Sequence, residues 1–282
     1  MDSQATPADR LVANIAELPS CLVAFSGGVD SAVVAQAAQL ALGEKAIAVT
    51  GVSASLASGE LELARRIAQA IGIRHETIST EEFVQEGYLE NQPNRCWHCK
   101  TELYERMRIL GSELGIEHLL NGANADDTGD FRPGMTAATE HHVRSPLVEC
   151  GIDKPTVRQL AQAWNLEVWD KPATPCLSSR VVYGLDITPE RLARIDAAEQ
   201  LLRELGLENV RVRYHHADLA RLEVALADLA ALCSTNKRRV VVDRLRELGF
   251  RYVTIDLEGF RSGSFQQLVS AEELTQSEPK EP

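Results

Sequence analysis

The segment Ser26-Gly27-Gly28-Val29-Asp30-Ser31 has the residue types of a phosphate-binding loop. An apolar run, Cys21–Phe25, precedes it and predicts a buried strand, and an Ala-rich helical pattern follows it. Glycines let the backbone approach phosphate oxygens, and the first amides of a helix are unpaired donors at the positive end of its dipole. Ser26 and Ser31 add hydroxyl donors, and Asp30 is suited to hold Mg²⁺ or to orient the amides. These residues therefore predict a nucleotide-phosphate site.

This loop contains no lysine and does not fit the pattern G-x-x-x-x-G-K-[ST]. It resembles instead the PP-loop of ATP pyrophosphatases, S-G-G-x-D-S. Members of that family cleave ATP between the α and β phosphates and transfer AMP to an oxygen of the substrate. An ordinary glycine-rich turn between strand and helix is the alternative, and the strand–loop–helix context favours the ATP site.

Two cysteines at C-x-x-C spacing, Cys96 and Cys99, lie at or just before a predicted helix start. The helix dipole there, together with Arg95 and Lys100, favours the thiolate form. A third thiol, Cys176, lies in a proline-constrained loop. If the three thiolates converge, they are one ligand short of a closed four-cysteine site. A site with one open position is typical of catalytic metals. A structural zinc half-site or a pair of buried thiols is the alternative interpretation of the C-x-x-C pair.

The remaining cysteines, Cys21, Cys150 and Cys233, have apolar or ordinary surroundings in the sequence and are assigned to packing.

The order of predicted elements indicates an α/β fold with a doubly wound, mostly parallel sheet. Predicted strands alternate with helices, and four of these strands cover residues 46–52, 75–78, 118–122 and 167–169. Ligands of such sheets bind at the carboxyl ends of the strands. Three unusual segments each follow a predicted strand end, namely Ser26–Ser31, Gly122–Arg132 and Lys171–Arg180.

A change of pattern near Gly184 divides the chain into domains. Residues 1–183 are predicted to form the nucleotide domain, and residues 184–276 a smaller α+β domain with two antiparallel strands. The polar tail, 277–282, is predicted to be disordered.

Composition narrows the class of protein. The chain has 29 basic and 41 acidic residues and a net charge of -12, which argues against a general nucleic-acid binder. The first residues, Met1-Asp2-Ser3-Gln4, lack the basic and apolar regions of a signal peptide, and no apolar run approaches the length of a membrane span. A cytoplasmic location is therefore expected.

Four segments together resemble the LarE family, and the resemblance extends over nearly the whole chain. They are Ser26–Ser31, Gly122–Gly134, Arg144–Leu147 and Trp169–Arg180. LarE proteins are ATP-dependent sulfur transferases that build the nickel-pincer nucleotide cofactor of lactate racemase. The resemblance implies that ATP adenylates a carboxylate of pyridinium-3,5-biscarboxylic acid mononucleotide. Sulfur then displaces AMP and leaves a thiocarboxylate, and the second carboxylate is treated in the same way.

The source of the sulfur divides this family. Some members sacrifice the cysteine that matches Cys176, which becomes dehydroalanine. Others use three cysteines to hold a [4Fe-4S] cluster with an extra sulfide. Because Cys96 and Cys99 accompany Cys176 here, the sequence resembles the cluster-bearing type. Sacrifice of Cys176 remains open as the alternative.

The motifs and the resemblance together assign further residues. Asn124, Asp126 and Asp127 follow a predicted strand end, where carboxylates suit Mg²⁺ or the ribose of ATP. Arg180 is expected to contact ATP or the substrate. Residues expected to contact the substrate are Trp97, Ser179, Arg211 and Arg213. Glu199 and Glu223 are weaker candidates, for a metal or for the substrate.

Arg211 and Arg213 alternate along one predicted strand, so their side chains lie on one face and suit a phosphate. An exposed strand face with solvated arginines is the alternative.

The resemblance also implies a homo-oligomer, since the family often forms hexamers.

Two other functions compete with this assignment. A tRNA thiolase of the same superfamily also combines a PP-loop with cysteines, although the net charge of -12 counts against it. A metal-binding or redox regulatory module would use ATP only structurally.

Overall fold

The structure is a computed structural model that describes residues 5–129 and 133–261. The predicted tail, 277–282, and the centre of the second motif, 130–132, lie outside the described residues. The strands are β1 Cys21–Ala24, β2 Ala46–Val52, β3 Arg74–Ser79, β4 Leu119–Leu120, β5 Arg211–His215, β6 Leu219–Glu223 and β7 Tyr252–Ile255. The helices are α1 Pro7–Ala16, α2 Val29–Leu42, α3 Glu60–Ile71, α4 Glu86–Leu89, α5 Arg95–Leu114, α6 Pro133–Glu140, α7 Pro146–Glu149, α8 Lys154–Ala163, α9 Pro189–Glu204, α10 Leu229–Leu232 and α11 Thr235–Glu247.

The chain separates into two compact units. One comprises the chain up to Glu82 together with Cys96–Thr174, and the other comprises Phe83–Arg95 together with the chain from Pro175 onward. The sequence placed a boundary at residue 183, whereas the contacts assign residues 175–183 to the second unit and add the earlier segment 83–95 to it.

The first unit is built on a parallel sheet with the strand order β3-β2-β1-β4. Leu22 of β1 pairs with Ile47 of β2 on one side and with Leu119 of β4 on the other, and both pairings are parallel. The predicted parallel α/β fold is therefore confirmed. The chain builds outward from β1 to β3 and then returns to place β4 on the opposite side of β1. The order thus reverses between β1 and β4, and ligands bind at the carboxyl ends of strands at such a switch point.

Alternate residues of β1 face two different apolar layers. Cys21 and Val23 join the core formed with α1, α2, α3 and α8. Leu22 and Ala24 join a second core that includes Tyr104 and other residues of α5 and α6. The sheet is thus covered on both faces at β1, and for this reason β1 is apolar throughout.

The predicted strand at residues 167–169 is wrong. The segment forms turns, in which Trp169 N donates to Leu166 O (3.1 Å) and Lys171 N to Val168 O (3.1 Å). Val168 is only 2% exposed and packs into the core with Leu166. The segment is apolar because it is buried, although its backbone is not extended. In a run this short, periodicity cannot distinguish a buried turn from a buried strand.

The second unit contains a three-stranded sheet with the order β5-β6-β7. β5 and β6 are antiparallel, as predicted, and they are joined through residues 216–218, where Ala217 and Asp218 both adopt positive φ (61° and 54°). β7 pairs with β6 in parallel, and α9 packs against β5.

Among the described residues, no helix is both long enough and apolar enough to cross a membrane.

Replacing Gly122 with alanine is expected to lower the melting temperature. The new Cβ would lie 2.8 Å from Ser31 N and 3.1 Å from the carbonyl carbon of Asp30, and these backbone atoms cannot rotate away. Overpacking of this kind costs about 1–3 kcal/mol, which corresponds to a fall of roughly 5 °C in a chain of this size. Thermal unfolding followed by circular dichroism measures the shift.

Gly134→Ala is the matched control for this prediction. Its Cβ would meet the flexible Lys100 Cγ at 3.3 Å, and Gly134 lies within α6. Alanine favours a helix, so the control should melt at the parent temperature or above it. Equal melting temperatures for Gly122→Ala and the parent protein would contradict the close contact.

Candidate functional site

The loop Ser26–Ser31 joins β1 to α2 through a left-handed turn at Gly27. The φ of Gly27 is +70°, and a Cβ there would lie 3.0 Å from the Cα of Ala64 in α3, so both conformation and space require glycine. Gly28 is the N-cap of α2 and has an extended backbone with no side-chain cap. A glycine N-cap therefore leaves the start of α2 accessible to a ligand, and helix starts of this kind bind anions.

The two serines of this loop stabilise its own backbone. Ser31 Oγ donates to Gly28 O (3.0 Å) and accepts from Ser26 N (3.3 Å), while Gly28 N donates to Ser26 Oγ (3.3 Å). Ser31 is 6% exposed, whereas Ser26 is exposed. The structure thus shows how the serines shape the loop, and their contact with phosphate stays a prediction.

A second motif lies against the loop at the switch point. Gly122, which follows β4, packs on the first turn of α2 so closely that a Cβ would lie 2.8 Å from Ser31 N. Asn124 is 4% exposed and donates through Nδ2 to Asp30 Oδ1 (3.1 Å). The structure therefore brings together the two segments that the sequence singled out separately.

The carboxylates of the second motif organise their own loop. Asp127 Oδ2 accepts from Asn124 N (3.0 Å), and Asn124 Oδ1 accepts from Asp126 N (3.0 Å). Asp126 is exposed and accepts through Oδ2 from Lys154 N (2.9 Å). Asp126 thereby links this loop to the start of α8.

Lys154 is a residue of the site that sequence reasoning missed. Its Nζ lies 2.5 Å from Asp30 Oδ2, and its side chain is 32% exposed. The residue is the first of α8, whose N-cap Asp153 accepts from Thr156 N (2.9 Å). The Asp-Lys-Pro sequence marks a helix start, but no local signal predicts a contact with a carboxylate 124 positions earlier.

The C-x-x-C pair lies at the start of a helix, which is one of the two placements that the sequence predicted. Helix α5 begins at Arg95, so Cys96 and Cys99 lie three residues apart near its start and on the same face. Cys96 is exposed, Cys99 is half-buried, and neither forms a disulfide. Within the described residues, no group of three or more His, Cys, Asp or Glu side chains is arranged to hold a metal ion.

Trp97, between these cysteines, is tied to the protein through its indole. Its Nε1 donates to Glu140 Oε2 (2.7 Å), and its ring lies edge-on to the His98 ring at 4.9 Å. Trp97 is half-buried against the core of the first unit. Its predicted contact with substrate stays a prediction.

Cys176 belongs to the second unit, where its backbone is held while its side chain is exposed. It is the N-cap of a short 3₁₀ helix, Leu177–Arg180. The carbonyl of Cys176 accepts from Ser179 N (3.0 Å), Ser179 Oγ (2.8 Å) and Arg180 Nη1 (2.9 Å). This arrangement fixes the position of an accessible thiol.

Arg180 forms a fully buried ion pair with Glu199. Both side chains are 0% exposed, with Nε 3.0 Å from Oε1 and Nη2 3.3 Å from Oε2. Glu199 also accepts from Arg203 Nη2 (2.9 Å) and Val212 N (3.2 Å). Arg180 therefore connects the Cys176 loop to α9 and β5, and its contact with ATP or substrate stays a prediction.

The segment 83–95 also stabilises the loop that carries Cys176. The sequence did not predict these contacts. Tyr88 Oη lies 2.6 Å from Ser178 Oγ, and Arg95 Nη1 donates to Ser178 O (3.0 Å). Asn91 donates through Nδ2 to Val182 O (2.8 Å) and is 0% exposed. A segment distant in sequence thus stabilises the residues that follow Cys176.

Arg211 and Arg213 are both buried, so the alternative of a solvated strand face is wrong. They are 8% and 6% exposed. Arg213 Nη2 pairs with Glu223 Oε2 (2.8 Å), and its Nη1 donates to Ser179 O (3.0 Å). Arg211 Nη1 donates to Val210 O (2.8 Å), and its guanidinium lies over the Phe260 ring at 5.1 Å.

The charged form of Arg211 is disfavoured by its surroundings. Burial lowers the pKa of Arg211 to about 10, and the nearby charges of Arg180 and Arg213 act in the same direction. A lowered arginine pKa marks a place where a further negative charge would be stabilising. The structure thus supplies a cationic region on β5.

The cysteines assigned to packing do not all behave alike. Cys21 is buried, and burial raises the pKa of its thiol to about 12. Cys150 is half-buried, and its Sγ lies 3.7 Å from Arg10 O. Cys233 is exposed, so its assignment to packing is wrong.

Comparisons with known proteins support the interpretation of these motifs. Residues 11–110 match the family described as NAD synthase. The chain is 45% identical over 254 residues to an uncharacterized protein of Synechocystis sp. (strain PCC 6803), covering 90% of this chain and 94% of that protein. The tRNA-specific 2-thiouridylase MnmA of Geobacter metallireducens is 31% identical over 198 residues, which is 53% of this chain and 52% of that enzyme.

A further relative is similar over almost the whole chain. The pyridinium-3,5-bisthiocarboxylic acid mononucleotide synthase of Lactiplantibacillus plantarum is 36% identical over 275 residues, covering 97% of this chain and 99% of that enzyme. Similarity of this extent covers both units. The chain therefore belongs to the LarE family, of which that synthase is a member.

Proposed function

We propose that this protein is an ATP-dependent sulfurtransferase that converts the carboxylates of pyridinium-3,5-biscarboxylic acid mononucleotide into thiocarboxylates. The product is the one named in the relative from Lactiplantibacillus plantarum, to which the chain is similar over 97% of its length. The structural observation that carries the proposal is the junction of the loop Ser26–Ser31 with the second motif, through Asn124 and Asp30, at the switch point of the sheet. A lactate racemase cofactor is the end product that the family resemblance implies.

The chemistry requires two bond exchanges. A substrate carboxylate oxygen attacks the α phosphorus of ATP, and the bond from that phosphorus to the oxygen bridging to the β phosphorus breaks, so pyrophosphate leaves. A sulfur nucleophile then attacks the carbonyl carbon, and the bond to AMP breaks. The first exchange replaces an oxide leaving group with AMP, and this replacement makes the second exchange feasible.

The start of α2 supplies the binding chemistry for the first exchange. Backbone amides at a helix start and the helix dipole stabilise phosphate charge. Asp30, Asp126 and Asp127 are the carboxylates of this region, and carboxylate oxygens are the ligands that Mg²⁺ prefers. These residues would hold Mg²⁺, which neutralises phosphate charge when it is bound.

The support for an iron–sulfur cluster is the chemistry of the cysteines and not their arrangement, because the described residues form no group of three or more His, Cys, Asp or Glu side chains that could hold a metal ion. Cys96 and Cys99 lie on one helix face, Cys176 is an exposed thiol on a fixed backbone, and thiolates are the usual ligands of such clusters. We propose that these three residues hold a [4Fe-4S] cluster. When bound, it would supply sulfide for the second exchange. The alternative is that Cys176 itself provides the sulfur and becomes dehydroalanine.

The protein should form AMP and pyrophosphate from ATP when the mononucleotide substrate is present, and it should do so equally with or without added tRNA. A tRNA thiolase, the function of the relative from Geobacter metallireducens, would require RNA for turnover, and a module that only binds ATP would form no AMP. Chromatography of the nucleotides after a timed incubation measures all three outcomes. Strict dependence on RNA would reject the proposal in favour of the thiolase.

Anaerobic reconstitution should load about four irons and four acid-labile sulfides per chain into the parent protein, and far less into Cys96→Ala. Cys233→Ala is the matched control, because Cys233 is also an exposed cysteine and is not a proposed ligand. Iron and sulfide analysis gives the content, and alkylation gives the ligands. The cluster should protect Cys96, Cys99 and Cys176 while Cys233 remains reactive.

The alkylation experiment also contains an internal reference. Cys21 should remain unlabelled in both states, because it is buried and its pKa is raised to about 12. A parent protein without iron or acid-labile sulfide would overturn the cluster proposal. Mass spectrometry of Cys176 after turnover would then test its sacrifice.

Arg211→Met should raise the KM for the mononucleotide substrate by roughly tenfold, because a charge-assisted hydrogen bond to phosphate contributes about 1.5–3 kcal/mol. The same variant should have the parent KM for the corresponding nucleoside, which lacks the phosphate. Arg239→Met is the control, since Arg239 is a highly exposed arginine of the same unit. An equal rise in KM for the mononucleotide and the nucleoside would show that Arg211 does not bind the phosphate.

A further inference from the structure

Lys154 provides a positive charge that the loop Ser26–Ser31 does not contain. The loop has no basic residue of its own. ATP bound there would carry several negative charges, and cleavage between the α and β phosphates leaves more charge on the departing pyrophosphate. A cation near the loop would stabilise both states. Lys154 reaches the loop from α8, with Nζ 2.5 Å from Asp30 Oδ2.

Two independent contacts hold Lys154 at this position. Its backbone N donates to Asp126 Oδ2 (2.9 Å), which ties the start of α8 to the second motif. Its side chain is held by Asp30, whose other oxygen accepts from Asn124 (3.1 Å). The side chain is therefore oriented by residues from both motifs before any nucleotide binds.

The ammonium group retains the capacity to bind a further ligand. A lysine ammonium carries three N–H donors, and Asp30 Oδ2 accepts one of them. The side chain is 32% exposed, so a ligand at the loop can approach it. A contact with Asp30 and a contact with a phosphate oxygen are thus compatible.

We infer that Lys154 binds the β and γ phosphates of ATP, with Asp30 as the residue that positions it. Lys154 thereby stabilises the pyrophosphate that leaves when a substrate oxygen bonds to the α phosphorus. The electron pair of the broken bond stays on the pyrophosphate, and no oxidant or reductant takes part. This inference rests on the proposed use of ATP by the loop.

The test compares two ligands that differ in the β and γ phosphates. These ligands are AMP and α,β-methylene-ATP, which cannot be cleaved between the α and β phosphates, and titration calorimetry on the full chain measures each Kd. Lys154→Met should weaken binding of the ATP analogue about tenfold to hundredfold and leave the Kd for AMP unchanged. Lys154→Arg, which keeps the charge, should bind the analogue more tightly than Lys154→Met.

Two controls distinguish phosphate binding from a structural effect. Lys237→Met removes another half-buried lysine, whose Nζ donates to Leu205 O (2.9 Å) in the second unit, and it should bind both ligands as the parent does. In the background of Asp30→Asn, Lys154→Met should still weaken binding of the analogue, but by a smaller factor than in the parent because Asp30 no longer positions the ammonium group. A complete loss of its effect in that background would mean that Lys154 acts only on Asp30.

The outcomes separate this inference from the proposed function. A parent protein that does not bind the analogue would contradict the use of ATP by the loop. A parent protein that binds the analogue, together with a Lys154→Met variant that binds it equally or loses AMP to the same extent, would overturn the role of Lys154 alone.

Discussion

The arrangement of the candidate ATP site depends on the close approach of the backbone after β4 to the first turn of α2. A side chain at Gly122 would come within 2.8 Å of Ser31 N, so the two segments touch through their main chains. The strand order β3-β2-β1-β4 creates this contact, because it places the ends of β1 and β4 next to each other. The contact then allows Asn124 to reach Asp30, and Asp30 in turn holds Lys154.

The second unit depends on a different constraint, namely the satisfaction of buried charge. Glu199 and Glu223 are 0% exposed, and each accepts from two arginine side chains. Removal of one partner from a buried pair costs about 3–5 kcal/mol, because the remaining charge stays in a poorly solvated place. These pairs fix α9, β5 and β6 relative to the loop that carries Cys176. Exposure of the Cys176 thiol is thus combined with a rigid backbone.

Much of the first unit could be predicted from the sequence, because its strands and glycines leave strong local signals. The strand Cys21–Ala24, the loop Ser26–Ser31 and helix α2 follow one another as the apolar pattern and the glycines indicate. The apolar pattern is misleading where a short buried run is not extended, as at Val168. It also fails for contacts between distant segments, such as Lys154 with Asp30 or Tyr88 with Ser178, because no local pattern encodes the partner. The burial of Arg211 and Arg213 could not be predicted either, because an arginine is ordinarily exposed.

The buried charges of the second unit also indicate what kind of ligand it would accept. Ion pairs join Glu199, Glu223 and Asp256 to four arginines of this region, namely Arg180, Arg203, Arg213 and Arg221. Arg180 and Arg213 also lie near Arg211, and their charges act on it. Burial is the main cause of the lowered pKa of Arg211, and the charges of Arg180 and Arg213 act in the same direction. A negative group at β5 would therefore stabilise the charged form of Arg211. The phosphate of the proposed mononucleotide substrate would bring such a group to β5.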